Sequence, residues 1–393
     1  MSFEILETET RGTIIKVVGV GGAGGNAVQH MIARGVQGVE FICANTDHQA
    51  LARSSSKNIL QLGKTGLGAG SRPEAGRAAA EEARDRIADA LRGAHMVFIT
   101  AGMGGGTGTG AAPVFAEIAK DLGILTVAVV SKPFEFEGPK RMKLAEAGVT
   151  HLEDTVHSLI VILNNKLEEV MGEDAEMAEC FRAADDVLHN ACAGIAEIIN
   201  VPGLVNVDFE DVKTVMSEQG KAMMGTALAS GLDRARIAAE QAVASPLLEG
   251  VDLSGARGVL VNITASSSLK MKETREVMNT IRAFAAEDAT VIFGTVCDES
   301  IGDGLRVTVV ATGLGRAASK KLSTPFTVVR TGTDNAALSV PTAASHTSAS
   351  DYSDFEKPAI WRTRESAQAR VAAMEDTGAE RYDIPAFLRK QAD

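Results

Sequence analysis

Between Gly102 and Gly110 the chain reads GMGGGTGTG, six glycines and two threonines in nine residues, directly after the apolar run Met96-Val97-Phe98-Ile99. Lacking a Cβ, glycines let successive backbone N–H groups converge into a concave nest, and the hydroxyls of Thr107 and Thr109 add donors of the same kind. Such a loop wraps an anion, and a phosphate chain is the expected guest. A flexible linker is the plainer reading, but linkers do not usually join a buried strand to a helix-like stretch such as Ala111 to Leu122.

A second cluster lies upstream. Gly19-Val20-Gly21-Gly22-Ala23-Gly24-Gly25-Asn26 satisfies GxGxxG through Gly19, Gly21 and Gly24, and Asp47 follows about 23 residues on. Alone, that pattern suggests a dinucleotide fold. Two nests facing one crevice instead suit a di- or triphosphate gripped from both sides. An ordinary P-loop is excluded: Gly63-Lys64-Thr65 resembles its end, but the required first glycine falls on Asn58. A nucleotide here would be held by backbone amides and hydroxyls rather than by a Walker lysine.

The elements that must position these residues follow from hydrophobic patterning. Thr13 to Val20 reads as a buried strand, glycines follow, and a helical pattern runs from Asn26 to Arg34. Strand-like runs recur at Val39 to Cys43, Met96 to Thr100, Leu125 to Val130 and Leu159 to Leu163, with helical patterns between several of them. Strands alternating with helices predict a mostly parallel sheet covered on both faces, with ligands beyond the carboxyl ends of the strands. The class is α/β, with a Rossmann-like parallel sheet. Ala175 to Ile199 has apolar residues at helical spacing and predicts a long central helix. Beyond it, a helix at Asp211 to Met216 and strands at Gly258 to Thr264, Thr290 to Val296 and Arg306 to Thr312 predict a second, smaller α/β domain.

Bulk composition narrows the function classes. At 393 residues and 45% hydrophobic, the chain can build two domains with a sizeable core. A net charge of −12 argues against wholesale binding to nucleic acid or anionic lipid, so any membrane contact is expected through a partner. Cys43, Cys180, Cys192 and Cys297 show no CxxC spacing, and the seven histidines form no metal pattern. No apolar run reaches membrane-span length and MSFEILETET lacks signal-peptide character, so a cytoplasmic location is expected.

From about Ala317 to Glu380 the chain is rich in Ala, Ser and Thr, with helical periodicity only near Arg364 to Met374, and reads as a disordered linker. A flexible chain of that length spans on the order of 45 Å. DIPAFLRKQAD, from Asp383 to Asp393, is apolar and basic again, which suits a docking segment; a frayed tail is the alternative. Both tyrosines, Tyr352 and Tyr382, and the only tryptophan, Trp361, fall beyond the globular part.

The motif GMGGGTGTG, the opening IKVVGVGGAGGNAV, the NTD at Asn45 to Asp47, PFEFEGPKR at Pro133 to Arg141 and NVDFEDV at Asn206 to Val212 together resemble the tubulin/FtsZ family of bacterial cell-division GTPases. The terminal DIPAFLRKQAD is similar to that family's partner-binding tail. The resemblance implies six segments: an extension over 1–12, a GTP-binding domain over 13–174, a central helix over 175–202, an activating domain over 203–316, a disordered linker over 317–382 and a tail over 383–393.

It further implies that Gly21, Gly22, Ala23, Gly24, Gly25 and Asn26, with Gly102, Gly104, Gly105, Gly106, Thr107, Gly108 and Thr109, meet the phosphates of GTP or GDP. Asn45, Asp47 and the loop near Ala69, Gly70 and Ser71 would close around the γ-phosphate and its Mg2+, with Asp47 a candidate metal neighbour and K+ a further candidate ion. Glu137 would hold the ribose, Arg141 would lie against the nucleotide, and Asp185 matches the position that reads guanine. A carboxylate suits guanine, which offers N1–H and N2–H donors, and repels the unprotonated N1 of adenine. Either member of the Asp185-Asp186 pair could face the base. Phe181, one helical turn earlier, is a stacking candidate or plain core.

On sequence alone, Asp208 and Asp211 in DFED are a helix N-cap with an acid three positions on. The resemblance implies instead that Asn206, Asp208 and Asp211 enter the nucleotide pocket of a neighbouring copy and polarise the attacking water. The resemblance also implies head-to-tail self-assembly at a mid-cell division ring, and capture of membrane-anchoring division adaptors and division regulators through Asp383, Ile384, Pro385, Phe387, Leu388, Arg389 and Lys390. The competing classes are a nicotinamide-dependent Rossmann oxidoreductase and a non-catalytic nucleotide-binding scaffold.

Overall fold

The structure, a computed structural model, describes residues 12–314 except 173, 202, 219, 246–255 and 287–288. The expected linker and tail, most of the N-terminal extension, and Tyr352, Trp361 and Tyr382 lie outside the described residues.

Ten strands are described: β1 (Ile15–Val20), β2 (Val39–Asn45), β3 (Asn58–Gln61), β4 (Met96–Gly102), β5 (Leu125–Lys132), β6 (Ser158–Leu163), β7 (Gly220–Ser230), β8 (Gly258–Ala265), β9 (Thr290–Cys297) and β10 (Gly304–Leu314). They share one sheet in the order β3-β2-β1-β4-β5-β6-β7-β10-β8-β9. Pairing is parallel from β3 through β7 and between β8 and β9, whereas β10 runs antiparallel to both β7 and β8. The parallel sheet expected for the first part is therefore present, and it does not stop where the second domain was expected to start. A short ladder, Ser158↔Gly220 to Ile160↔Ala222, carries it across.

The helices are α1 (Gly21–Ala33), α2 (His48–Ala52), α3 (Pro73–Glu82), α4 (Arg84–Leu91), α5 (Thr107–Asp121), α6 (Pro139–Thr155), α7 (Asn164–Met171), α8 (Met177–Asn200), α9 (Phe209–Met216), α10 (Arg234–Val243) and α11 (Met271–Arg282). Because strand side chains alternate, β1 sends Ile15 and Val17 into one core and Val18 and Val20 into the other. The first core packs α1 and α8 against the sheet; the second packs α3, α4, α5 and α6, with Phe98 of β4 facing the first and Phe115 of α5 filling the second. Both rings are fully buried. A third core lies between α10, α11 and the strands β8 and β10. The α8 residues Leu188, Cys192 and Ile195 share a core with Leu260 and Val310, so this helix is packed between the two halves of the sheet.

Local boundaries differ from the sequence reading at the glycines. β4 continues to Gly102 and α5 already starts at Thr107, so only Met103 to Gly106 connect them. Likewise α1 starts at Gly21, five residues before the helical pattern becomes visible at Asn26. Glycine is a poor helix former, and here tertiary packing overrides propensity: a Cβ on Gly24 would collide with the Thr100 carbonyl, and one on Gly110 with the Pro73 carbonyl.

Candidate functional site

The carboxyl ends of β1, β4 and β5 open into a cleft of about 520 Å³. On one side stand Gly22, Ala23 and Asn26 of α1; on the other stand Gly102, Gly105, Gly106, Thr107 and Gly108. An adjoining chamber of about 570 Å³ shares Gly22, Asn26 and Thr107 and adds Gly21, Gly25, Asn45 and Asp47. The two glycine clusters thus face one crevice.

Their chemistry is that of two helix starts. Neither α1 nor α5 has a side chain capping its first turn, so the leading N–H groups and the positive ends of both helix dipoles are left to an external anion. The glycines divide into two kinds. At Gly22, Gly25 and Gly105 an added Cβ would meet nothing within 4 Å, so these faces border open space. Gly21 and Gly104 have φ of +78° and +92°, and a Cβ on Gly104 would come within 2.7 Å of the Arg141 carbonyl oxygen. Gly24 packs against the strand and lines neither chamber. Ala23 directs its methyl at Gly102, where a second Cβ would sit 2.6 Å away.

The threonines separate too. Thr107 lines both chambers and its hydroxyl bonds that of Thr46 at 2.6 Å. Thr109 is buried, and its Oγ1 accepts from Gly104 N–H at 2.9 Å. It shapes the turn rather than offering a donor to the cleft. Ala69 is buried beside Gly106, and neither it nor Gly70 lines a chamber; from that loop it is Ser71, at φ +55°, that reaches the cleft. The loop is tied to the end of β2 by Gly68 N–H to the Thr46 carbonyl, 3.1 Å, and His48 N–H to the Gly66 carbonyl, 3.0 Å.

At the far end of the cleft α8 presents Phe181 and Asp185, and α7 presents Asn164. Phe181 stays partly exposed and meets Phe134 edge-on at 5.2 Å, so its ring is a cleft wall and not core. Asp186 turns elsewhere: its Oδ1 accepts from Nε2 of His30, in the last turn of α1, at 2.7 Å and from Nη2 of Arg34, the C-cap of α1, at 2.6 Å. Asp185 is therefore the member of the pair that faces the cleft. Burial, reinforced by Asp186 and opposed by His30, raises its pKa to about 6. Asn164 and Ser131 were missed in the sequence. Asn164 follows directly on β6, and its buried Oδ1 has no hydrogen-bond partner in the protein, an arrangement that costs free energy until a donor arrives. A polar residue at the carboxyl end of a buried strand was the available signal.

Glu137 and Arg141 form an ion pair at the cleft rim, and Glu137 Oε1 also accepts from Phe134 N–H at 2.9 Å. Asp47 caps α2, its Oδ1 accepting from Gln49 and Ala50 N–H. Among the described residues no three His, Cys, Asp or Glu side chains cluster to hold a metal. The donor set fits Mg2+, which keeps several waters and takes one or two carboxylates plus phosphate oxygens; Asp47 is the carboxylate available for it.

Asn206, Asp208 and Asp211 do not join this cleft. Asp208 caps α9 by accepting from Asp211 N–H at 2.8 Å, and the Asn206 carboxamide oxygen accepts from Gly203 N–H at 2.7 Å. Phe209, between the two acids, packs on His95, which immediately precedes β4, and Asn200 at the end of α8 donates to the Gly38 carbonyl just before β2. Both contacts lie at the amino-terminal edge of the strands. The fifteen helical steps of α8 from Asp185 to Asn200 span ~22 Å. The acids are exposed at the opposite edge of the molecule from the cleft.

Comparison with known proteins gives the family. Residues 14–172 match the Tubulin/FtsZ family, GTPase domain, and residues 220–315 match the FtsZ family, C-terminal domain. The chain is 54% identical to the cell division protein FtsZ of Coxiella burnetii over 99% of both chains, and 53% identical to that of Azotobacter vinelandii over 100% of both. The chain belongs to the FtsZ family. A solved FtsZ dimer from M. jannaschii superimposes with TM-score 0.74 at 42% identity, covering 78% of this chain and 89% of that one. As a member of this family it is a tubulin-like GTPase of cell division and binds GTP and GDP. FtsZ membership does not favour the oxidoreductase or scaffold readings. No described helix is long and apolar enough to cross a membrane.

Proposed function

We propose that this chain assembles head to tail into filaments of a cytoplasmic division ring and hydrolyses GTP where the acidic loop of one copy covers the cleft of the next. The observation that carries this reading is the separation of Asp208 and Asp211 from the cleft by the length of α8. Acids that cannot reach their own nucleotide can reach a neighbour's, and a contact between unlike faces repeats without closing. That a relative was solved as an FtsZ dimer is in keeping with it.

In this reading the phosphates lie across the starts of α1 and α5, against the N–H groups around Gly22, Asn26, Gly105, Gly106, Thr107 and Gly108. The guanine edge donates N1–H and N2–H to Asp185 and takes up the free acceptor of Asn164; Phe181 walls the base, Glu137 accepts from the ribose, and Arg141 lies beside it. Magnesium, when bound near Asp47, supplies charge compensation on the phosphates, and K+ is a further candidate there. Asp208 and Asp211 of the adjoining copy, with Asn206 entering beside them, orient a water in line with the γ-phosphorus and accept its proton as its oxygen bonds phosphorus and the bond to the bridging oxygen breaks. The tail from Asp383 to Lys390 carries the filament to membrane-anchoring adaptors and division regulators.

Mixing tests the division of labour. Asp211→Ala, which lacks the acids' function, and Gly105→Ala, which obstructs its own cleft, should each hydrolyse poorly alone and recover activity together; no gain on mixing would contradict a shared site. Deleting Asp383 to Asp393 should leave GTPase activity intact and abolish adaptor binding.

A further inference from the structure

Asp185 and Asp186 are adjacent on α8, so their side chains leave the helix about 100° apart. Two identical carboxyl groups therefore compete for one task, and nothing in their own chemistry decides between them. The decision comes from α1. His30 sits in the last turn of that helix and Arg34 is its C-cap, still with helical backbone, so the two are four apart and on one face, and both place a nitrogen on the same oxygen of Asp186, at 2.7 and 2.6 Å. His30 is further braced on the α8 side by His189, whose ring meets it edge-on at 6.0 Å. The two donors lie at the end of the helix whose first two turns line the cleft through Gly22 and Asn26, so α1 touches the phosphate end with one terminus and grips the base-reading helix with the other.

We infer that His30 and Arg34, acting through Asp186, are positioning residues that select Asp185 as the guanine-reading carboxylate and hold it at a fixed distance from the phosphate nest. This rests on the assignment of Asp185 to the base. The role is not one of stability. Asp186 and Arg34 are substantially exposed, and exposed ion pairs add little to folding. What the grip removes is an alternative: with Asp186 engaged, one carboxylate is left for the cleft, and the donors that would otherwise draw Asp185 aside are already satisfied.

The test is binding of GDP and IDP to the full chain at concentrations too low for assembly. IDP lacks the N2 amino group, so the ratio of the two affinities reports how well a carboxylate is presented to that donor. His30→Gln combined with Arg34→Gln, and separately Asp186→Asn, should weaken GDP by about tenfold, the worth of one charge-assisted hydrogen bond, and bring the GDP to IDP ratio towards one. Arg34→Lys, which keeps the charge, should retain most of the ratio. A ratio that collapses in Asp185→Asn but stays at the unsubstituted value in both grip variants overturns the positioning role alone. A ratio unmoved even in Asp185→Asn overturns the base assignment and the grip with it.

Discussion

The phenyl ring of Phe209 meets the imidazole ring of His95 with 6.1 Å between centres, and this contact pins the acidic loop to the strand edge opposite the glycine cleft. β4 begins at Met96, beside that histidine, and ends at Gly102, inside the cleft. Seven residues of strand, ~20 Å at 3.3 Å per residue, separate the two places. No rotamer change brings Asp208 or Asp211 to its own nucleotide.

Asp208 and Asp211 should accordingly fail in different ways. Asp208→Ala loses the α9 cap and costs about 1 kcal/mol of stability, together with hydrolysis. Asp211→Ala keeps the cap, should bind GTP with unchanged affinity, and should lose about 10²- to 10⁴-fold in turnover, the usual worth of a proton acceptor. Thermal melts recorded beside steady-state rates separate the two effects. Full activity in Asp211→Ala would remove it from the mechanism.

Nucleotide affinity should fall in mild acid. Folding raises the Asp185 pKa from its ordinary value to about 6, so protonation favours the free folded protein; this contribution is complete below the ordinary Asp value and is lost as pH rises through about 6. Guanine requires the ionised form, so binding must expel that proton and should weaken by up to about tenfold per pH unit below 6. Asp185→Asn should bind weakly at every pH and be more stable than the parent at pH 7 when nucleotide-free. A titration of GDP affinity from pH 5 to 8 whose slope is the same in both proteins would contradict the assignment.

The glycines should divide by what borders them. Gly105→Ala adds a methyl to open cleft space, so stability should move by no more than ~0.5 kcal/mol while GDP affinity drops at least tenfold. Gly24→Ala drives a methyl into the Thr100 carbonyl and should cost about 1–3 kcal/mol through backbone shifts. Denaturant midpoints and nucleotide titrations on the same two preparations check both halves; a destabilised Gly105→Ala that binds normally would reverse the division.

Asn164→Ala should weaken GDP by roughly tenfold, because a buried acceptor that the ligand satisfies is lost. The nucleotide-free protein should lose little, since that acceptor has no partner before binding. Equal losses in the free and bound melts would place Asn164 in the framework instead.

The central strands were readable because β1 and β4 are nearly unbroken apolar runs, interrupted by Lys16 and Thr100 alone, the pattern of strands buried on both faces. β7 was not: GKAMMGTALAS mixes small and flexible residues, and its strand character comes from the β10 ladder, which is a long-range partner invisible to local pattern. The glycine clusters pointed to an anion cleft, yet their placement inside the first turns of α1 and α5 depends on close backbone approaches that composition does not encode. The Asp185-Asp186 ambiguity is of the same kind. It is resolved by His30 and Arg34, some 150 residues away in the chain.

The most direct test of an active site shared between copies is GTP turnover per subunit as a function of protein concentration, with light scattering recorded in the same cuvette. Turnover per subunit should be near zero in dilute protein, rise together with scattering, and level off once assembly is complete. Turnover per subunit that is constant from dilute, non-scattering protein upward would mean that one chain carries a complete site, and would contradict the account.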